Sequence, residues 1–214
     1  MHGAGRRLMA SGFMSCAALL SMIAVTSAAA AGVQDRGSPP QATQSAPMEA
    51  PPGAPVSAPA AQAANWKTYT FPAEGFSASF PTEPSKEKQS VTTDAGVFEL
   101  RTYLASSEAV ALYIGVCDYG ETAKGSDPDA VLQGAKDGAV SNVHGHLIDS
   151  KKVTLGIYPG VAFEAAAEGA HLYGRIYLVG STLYQAFVAL QSNRPYPDTN
   201  RFLDSFQLVP RPTP

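Results

Sequence analysis

HLYGRIYLVGSTLYQAFVAL, residues 171–190, decides the fold. Two runs rich in aromatic and branched side chains flank Gly180-Ser181, and a two-residue loop with glycine first is what a type II′ hairpin turn prefers. The preceding run, VAFEAAAE at residues 161–168, ends at Gly169-Ala170, which reads as a second loop of the same kind. Under that register Glu168 faces His171, Glu164 faces Arg175 and Tyr177 faces Tyr184. Side chains then sort by the period of two that a strand imposes. Val161, Phe163, Leu172, Ile176, Leu178, Leu183 and Phe187 share one face, assigned to the main core. Glu164, Tyr173, Arg175, Tyr177, Tyr184 and Val188 share the other, with Ala162 and Ala166 leaving room beside the tyrosines.

Upstream of this meander, Tyr158-Pro159-Gly160 reads as a turn, because proline presets one central residue and glycine accepts positive φ. A further strand is expected within residues 144–155. Asp127-Pro128 opens a helix, the aspartate capping the first orphan amides and the proline fitting the first turn. Val131, Leu132, Ala135 and Ala139 fall at helical spacing, and the helix is expected to stop near Asn142. Gly134 and Gly138 each weaken it by roughly 1 kcal/mol relative to alanine, which predicts close approach to a sheet.

VALYIGVCDYG, residues 110–120, is apolar on both faces, the mark of an interior strand covered on both sides. Cys117 lies in it and reads as a small buried hydrophobe. Residues 97–105 alternate, with Phe98, Leu100 and Leu104 opposite Glu99 and Arg101, as a half-exposed strand does. Residues 82–89 are polar and charged and read as a connection. WKTYTF and GFSASFP, from Trp66 to Pro81, read as two short strands punctuated by Pro72 and Gly75. At the far end a helix capped by Asp198 should turn Phe202, Leu203 and Phe206 to one side before Pro210 ends the fold. These elements make an α+β domain, an antiparallel sheet flanked by helices, over residues 65–210, with residues 211–214 as a tail.

The chain before it is of another kind. Residues 1–31 carry Arg6 and Arg7, then an uncharged stretch closing on Ser-Ala-Ala-Ala-Ala, the pattern of a cleaved signal peptide, with an uncleaved membrane anchor as the alternative. Cys16 falls inside the apolar run and reads as part of it. Residues 32–64 are Pro, Ala, Gln and Ser, too poor in large apolar side chains to offset the entropy of ordering, and read as a disordered linker. A periplasmic or secreted location follows from the export pattern. Removing the signal leaves Cys117 alone, so no intramolecular disulfide is expected. The whole chain has 15 basic and 18 acidic residues, net charge -3. The export segment holds two of the basic ones, so the remainder is more acidic still. No basic stripe exists, which argues against nucleic acid and anionic membrane as partners.

The order of elements, with GFSASFP, YPGVAFEA, GRIYLVGSTLYQAFV and FLDSFQL as its carriers, resembles the PsbP-like superfamily over nearly the whole folded part. The resemblance implies an α/β/α sandwich around an antiparallel sheet and a docking or accessory protein, and it supplies no catalytic motif to carry over.

No G-x-S-x-G, phosphate-cradling loop or dinucleotide fingerprint occurs in the chain. His144, His146 and Asp149 offer imidazoles at short spacing, but a closed metal site needs about four ligands and these read as a solvated strand start. Glu168 opposite His171 has the composition of an acid–base pair, at a hairpin end where surface charges are routine. No cofactor and no metal are expected. The site expected from sequence is the face of Glu164, Tyr173, Arg175, Tyr177 and Tyr184, since tyrosine and arginine anchor interfaces. The competing reading has Arg175 paired with Glu164 and the tyrosines packed beneath the terminal helix. Function is expected to be non-enzymatic docking onto an exported or membrane protein. A carrier of a small hydrophobic or aromatic ligand is the alternative, and a hydrolase with dispersed residues a third.

Overall fold

The computed structural model describes residues 65–212, apart from 94–95, 124 and 192–193. The export segment and linker read from residues 1–64 lie outside the described residues. In chain order the elements are β1 (Lys67–Phe71), β2 (Phe76–Phe80), β3 (Ser85–Thr93), β4 (Gly96–Ser106), β5 (Val110–Asp118), α1 (Pro128–Asn142), β6 (His146–Leu155), β7 (Tyr158–Ala167), β8 (Ala170–Val179), β9 (Thr182–Leu190), α2 (Thr199–Asp204) and β10 (Gln207–Leu208). Seven strands form one antiparallel sheet in the order β3-β4-β5-β9-β8-β7-β6, and β1-β2-β10 form a second. The protein is α+β, with helices on both faces of the large sheet; the small sheet shares its layer with α2. Among the described residues no helix is long and apolar enough to cross a membrane.

Alternation on the strands divides the interior into two cores. The seven residues assigned to the main-core face of the meander all pack there, with Val131, Leu132, Ala135, Ala139 and Val140 of α1 above them. The helix begins as its cap predicts, Asp127 accepting from the amide of Asp129 at 3.1 Å. β5 is interior, with Tyr113 and Cys117 in the helix-side core and Leu112, Ile114 and Val116 in the other. Residues 97–105 belong to β4 as expected, and Phe98 and Leu100 are buried.

The second core corrects the reading of the tyrosine face as a site and, for Tyr177 and Tyr184, agrees with the competing one, in which the tyrosines pack beneath the terminal helix. Phe71, Phe76 and Phe80 of the small sheet, Phe202 and Leu203 of α2, and Phe206 cover it, so Tyr177 and Tyr184 are 4% and 2% exposed. Tyr177 stacks on Phe206 with ring centroids 5.9 Å apart. The end of α2 is tied to β2 where Ser205 Oγ accepts from the Ser79 amide at 2.9 Å. Asp198 does begin α2, but its carboxylate makes no cap; it lies 3.6 Å from Arg201.

Three local expectations differ from the structure. Residues 85–93 are a strand, which takes in most of the 82–89 stretch read as a connection; β3 is a sheet edge with Val91 its only side chain described as buried, and lysines on such an edge discourage pairing with other chains. The turn expected at Tyr158-Pro159-Gly160 lies two residues earlier, at Gly156-Ile157, and Pro159 stands opposite Thr154 within the ladder. The β7–β8 loop is Glu168-Gly169, not Gly169-Ala170: Ala167 pairs with Ala170, so Glu164 faces Tyr173 and Ala162 faces Arg175. Gly169 takes its positive φ of 71° at the second loop position, and glycine is suited to that position as well as to the first. The slip is two residues in pairing, so every side chain keeps its face. The Gly180-Ser181 loop and the Tyr177–Tyr184 pairing are as read.

Candidate functional site

Beyond the edge of the small sheet, the second face of the large sheet is exposed on β6 and half-buried on β7 and on β8 at Tyr173 and Arg175. A groove of about 240 Å³ runs there beside α2. Pairing lines up two rows across its floor. Asp149, Glu164 and Tyr173 are cross-strand neighbours, and two residues along the strands Lys151, Ala162 and Arg175 form the next row. At the rise of a strand these rows lie roughly 7 Å apart. One row is acidic and ends in a phenol; the other is basic, with the small Ala162 opening the floor between Lys151 and Arg175. Asn200 and Leu203 of α2 close one wall.

The inner members of these rows are held by the fold. Glu164 Oε1 lies 2.7 Å from His171 Nε2, and the Tyr173 phenol feels the charge of the same carboxylate. Burial first, then the Glu164 charge, pushes the Tyr173 phenol above its usual range, so it stays a donor. The His171 ring stacks on Tyr173 at 4.7 Å. Arg175 pairs with Asp204 at 2.6 Å and donates to the Leu203 carbonyl at 3.3 Å, a cation at the end of α2. Neither sequence-level pairing is present: His171 meets Glu164 in place of Glu168, and Arg175 meets Asp204 in place of Glu164. Asp149 and Lys151, by contrast, make no ion pair among the described residues and are exposed. They are the atoms with donors and acceptors to spare.

Of the five site residues expected from sequence, Glu164, Tyr173 and Arg175 line this groove, while Tyr177 and Tyr184 are packing residues of the second core. Among the described residues no three His, Cys, Asp or Glu side chains converge as a metal site; His144 and His146 are exposed.

A polar cluster between the sheets was not legible in the sequence. Glu74 Oε2 meets Arg101 Nε at 3.1 Å, an ionic contact off hydrogen-bond geometry. Tyr103 donates to the Glu74 carboxylate. The Tyr184 hydroxyl donates to the Glu74 carbonyl at 2.6 Å and accepts from Arg211 at 3.0 Å. The only signal was Arg101 standing in an alternating strand, read as solvent-facing.

This cluster gives the protein a pH response. Burial above all, and then the charge and hydrogen bond of Glu74, push Tyr103 up to about 12. The native state therefore keeps a proton that the unfolded chain releases from about pH 10, and stability must fall as pH rises from about 10 to 12. For a shift of this size the loss from Tyr103 is roughly 2 to 3 kcal/mol. Tyr173, Tyr184 and Tyr196 are raised as well and act in the same direction. Urea unfolding of wild type and Tyr103→Phe between pH 8 and 11.5 checks this. The variant should lose close to one proton's worth of slope, and parallel profiles would refute the assignment.

No protein-family model and no curated protein matches the chain. Among solved structures, it is similar to the solution structure of cyanobacterial PsbP (CyanoP) from Synechocystis sp. PCC 6803, with a TM-score of 0.48 and 10% identity, over 72% of this chain and 98% of that one.

Proposed function

We propose that this is an exported, non-enzymatic accessory protein that docks an extended segment of another envelope or secreted protein along β6 and its groove. The observation that carries the reading is the state of β6. It is a ten-residue edge strand, exposed from His146 to Lys152, directly beside the open groove. Ile148 is 51% exposed, and Ile157 in the adjoining turn is 88% exposed. The ladder slips between Leu147 and Asp149, a bulge that places Ile148 outside the pairing. Large aliphatic side chains at an edge, next to unpaired charges of both signs, suit a polypeptide with apolar anchors and mixed charge. The opposite edge, β3, presents lysines and no exposed aliphatic of that size.

Export is supported by the pattern of residues 1–31, and an accessory role agrees with the family that the sequence resembles. A photo-crosslinking residue at position 148 should trap a partner in native envelope extract, and one at position 88 on β3 should not. Ile148→Asp and Arg175→Ala are each expected to reduce capture about tenfold, a loss of roughly 1.4 kcal/mol, with the circular dichroism of the fold retained. Equal trapping from the two edges, or capture unchanged in both variants, would refute the docking face.

A further inference from the structure

A second cavity, of about 260 Å³, opens where the small sheet meets β9, away from the β6 groove. Its distinctive member is Arg211. The guanidinium Nη2 lies 3.0 Å from Tyr184 Oη, 3.2 Å from Thr182 Oγ1 and 3.4 Å from the Glu74 carbonyl, all neutral acceptors. Arginine stays charged at any working pH and carries five N–H donors. Among the described residues no carboxylate pairs with Arg211, and its Nε and Nη1 donate to no protein atom. Two acids stand nearby without pairing with it, although the Arg211 charge helps to lower the Asp118 carboxyl. Glu74 faces Arg101, and Asp118 accepts from the Gly120 amide at 2.9 Å and the Ser181 hydroxyl at 2.8 Å.

The guanidinium of Arg211, an exposed residue, lies against the turn at Gly75. Gly75 has a positive φ of 78°, and a Cβ there would fall 2.9 Å from Arg211 Nε and 3.1 Å from Tyr184 Oη. Only a glycine lets the guanidinium lie where it does. Val209 following β10 donates to the Gly75 carbonyl at 2.9 Å, which fixes the wall behind it. The other walls are Tyr158, Val179, Leu208 and Val209, apolar or aromatic. An exposed arginine with no carboxylate partner among the described residues, at one end of a cavity whose far walls are apolar or aromatic, favours an anion with an apolar body.

We infer that this cavity binds a small carboxylic acid carrying a short aliphatic or single-ring body, its carboxylate paired with Arg211 and its body against Val179 and Leu208. The volume lies below the range of drug-sized sites, so the body is small. The inference is independent of the docking face: it shares no residue with the β6 groove.

The test uses the full chain and benzoate as the probe, followed by NMR of the Arg211 side-chain Nε–H and the backbone amides of Thr182 and Leu208. Saturable shifts are expected at all three, at least tenfold weaker for benzyl alcohol, which lacks the charge, and for acetate, which lacks the body. Arg211→Gln should abolish them. Because that change also removes contacts to Tyr184, Val179→Asp is the second variant, since it sets a like charge in the wall and leaves Arg211 untouched; it too should abolish binding. Benzoate and acetate shifting the signals equally, benzoate binding intact in both variants, or no shift at all would overturn the inference. A short peptide with a free C-terminus outcompeting benzoate would overturn the small-molecule assignment.

Discussion

Phe76→Ala should lower the unfolding free energy by about 4 kcal/mol. The ring is fully buried and sits where the small sheet meets the large one. It contacts Phe71 at 4.9 Å, Tyr103 at 5.1 Å, Phe206 at 5.6 Å and Tyr184 at 6.3 Å between centroids. Removing it takes away apolar area and leaves a cavity walled by four other rings. Those rings are anchored on separate strands and on the segment after α2, so they cannot all move inward to fill the space, and the cost lies near the top of the range for such truncations. The small sheet is short, with β10 only two residues long, and few ladder bonds would hold it without this contact. Urea unfolding with an unchanged m-value checks the figure. A loss under about 1 kcal/mol would mean that the site collapses freely and that the second core is not built around Phe76.

Position on a face was legible before contact was. The two-residue slip at Glu168-Gly169 changed which side chains are opposite each other and left both faces intact, because strand parity survives an even shift. That is why the core face of the meander was found residue for residue, while the pairing of His171 was read to Glu168 and found at Glu164. The cap at Asp127 and the apolar spacing of α1 are local signals, and they located the helix to its last residue. β3 carries no such signal: an edge strand with polar side chains on both faces has the composition of a loop, and only the ladder with β4 makes it a strand. The second core lay further out of reach. Nothing in the alternation of β8 and β9 says that Phe76 and Phe206, more than a hundred residues apart in the chain, close over Tyr177 and Tyr184.

The same distinction governs the site. Glu164, Tyr173 and Arg175 could be placed together because they share strand parity within one meander. Asp149 and Lys151, which supply the groove's unpaired charges, come from a strand whose turn was misplaced by two residues, so their rows could not be drawn. Arg211 follows the last proline of the fold and has no periodic context at all; its role depends on Gly75, 136 positions earlier, lacking a side chain.

Arg101→Met should destabilise the fold by about 3 kcal/mol, and Glu74→Gln by about half as much, although both break the same ion pair. The asymmetry follows from what each change leaves behind. Without Arg101, the Glu74 carboxyl is left at 11% side-chain exposure with Tyr103 beside it. Without the Glu74 charge, Arg101 is 21% exposed and has Glu99 at 3.8 Å to turn to. A lone carboxylate between two sheets is the costlier orphan, because solvent reaches it less and its second partner is a weak acid. The double variant, Glu74→Gln with Arg101→Met, removes both charges and should recover more than 1 kcal/mol relative to the sum of the single changes, a coupling of the size seen for groups in direct contact. The pH response separates this from simple loss of packing. Arg101 lowers the Tyr103 phenol while Glu74 raises it, so Arg101→Met should steepen the alkaline loss of stability and Glu74→Gln should flatten it. Additive single changes with unaltered pH profiles would show that water screens the pair and that apolar contact alone holds the two sheets together.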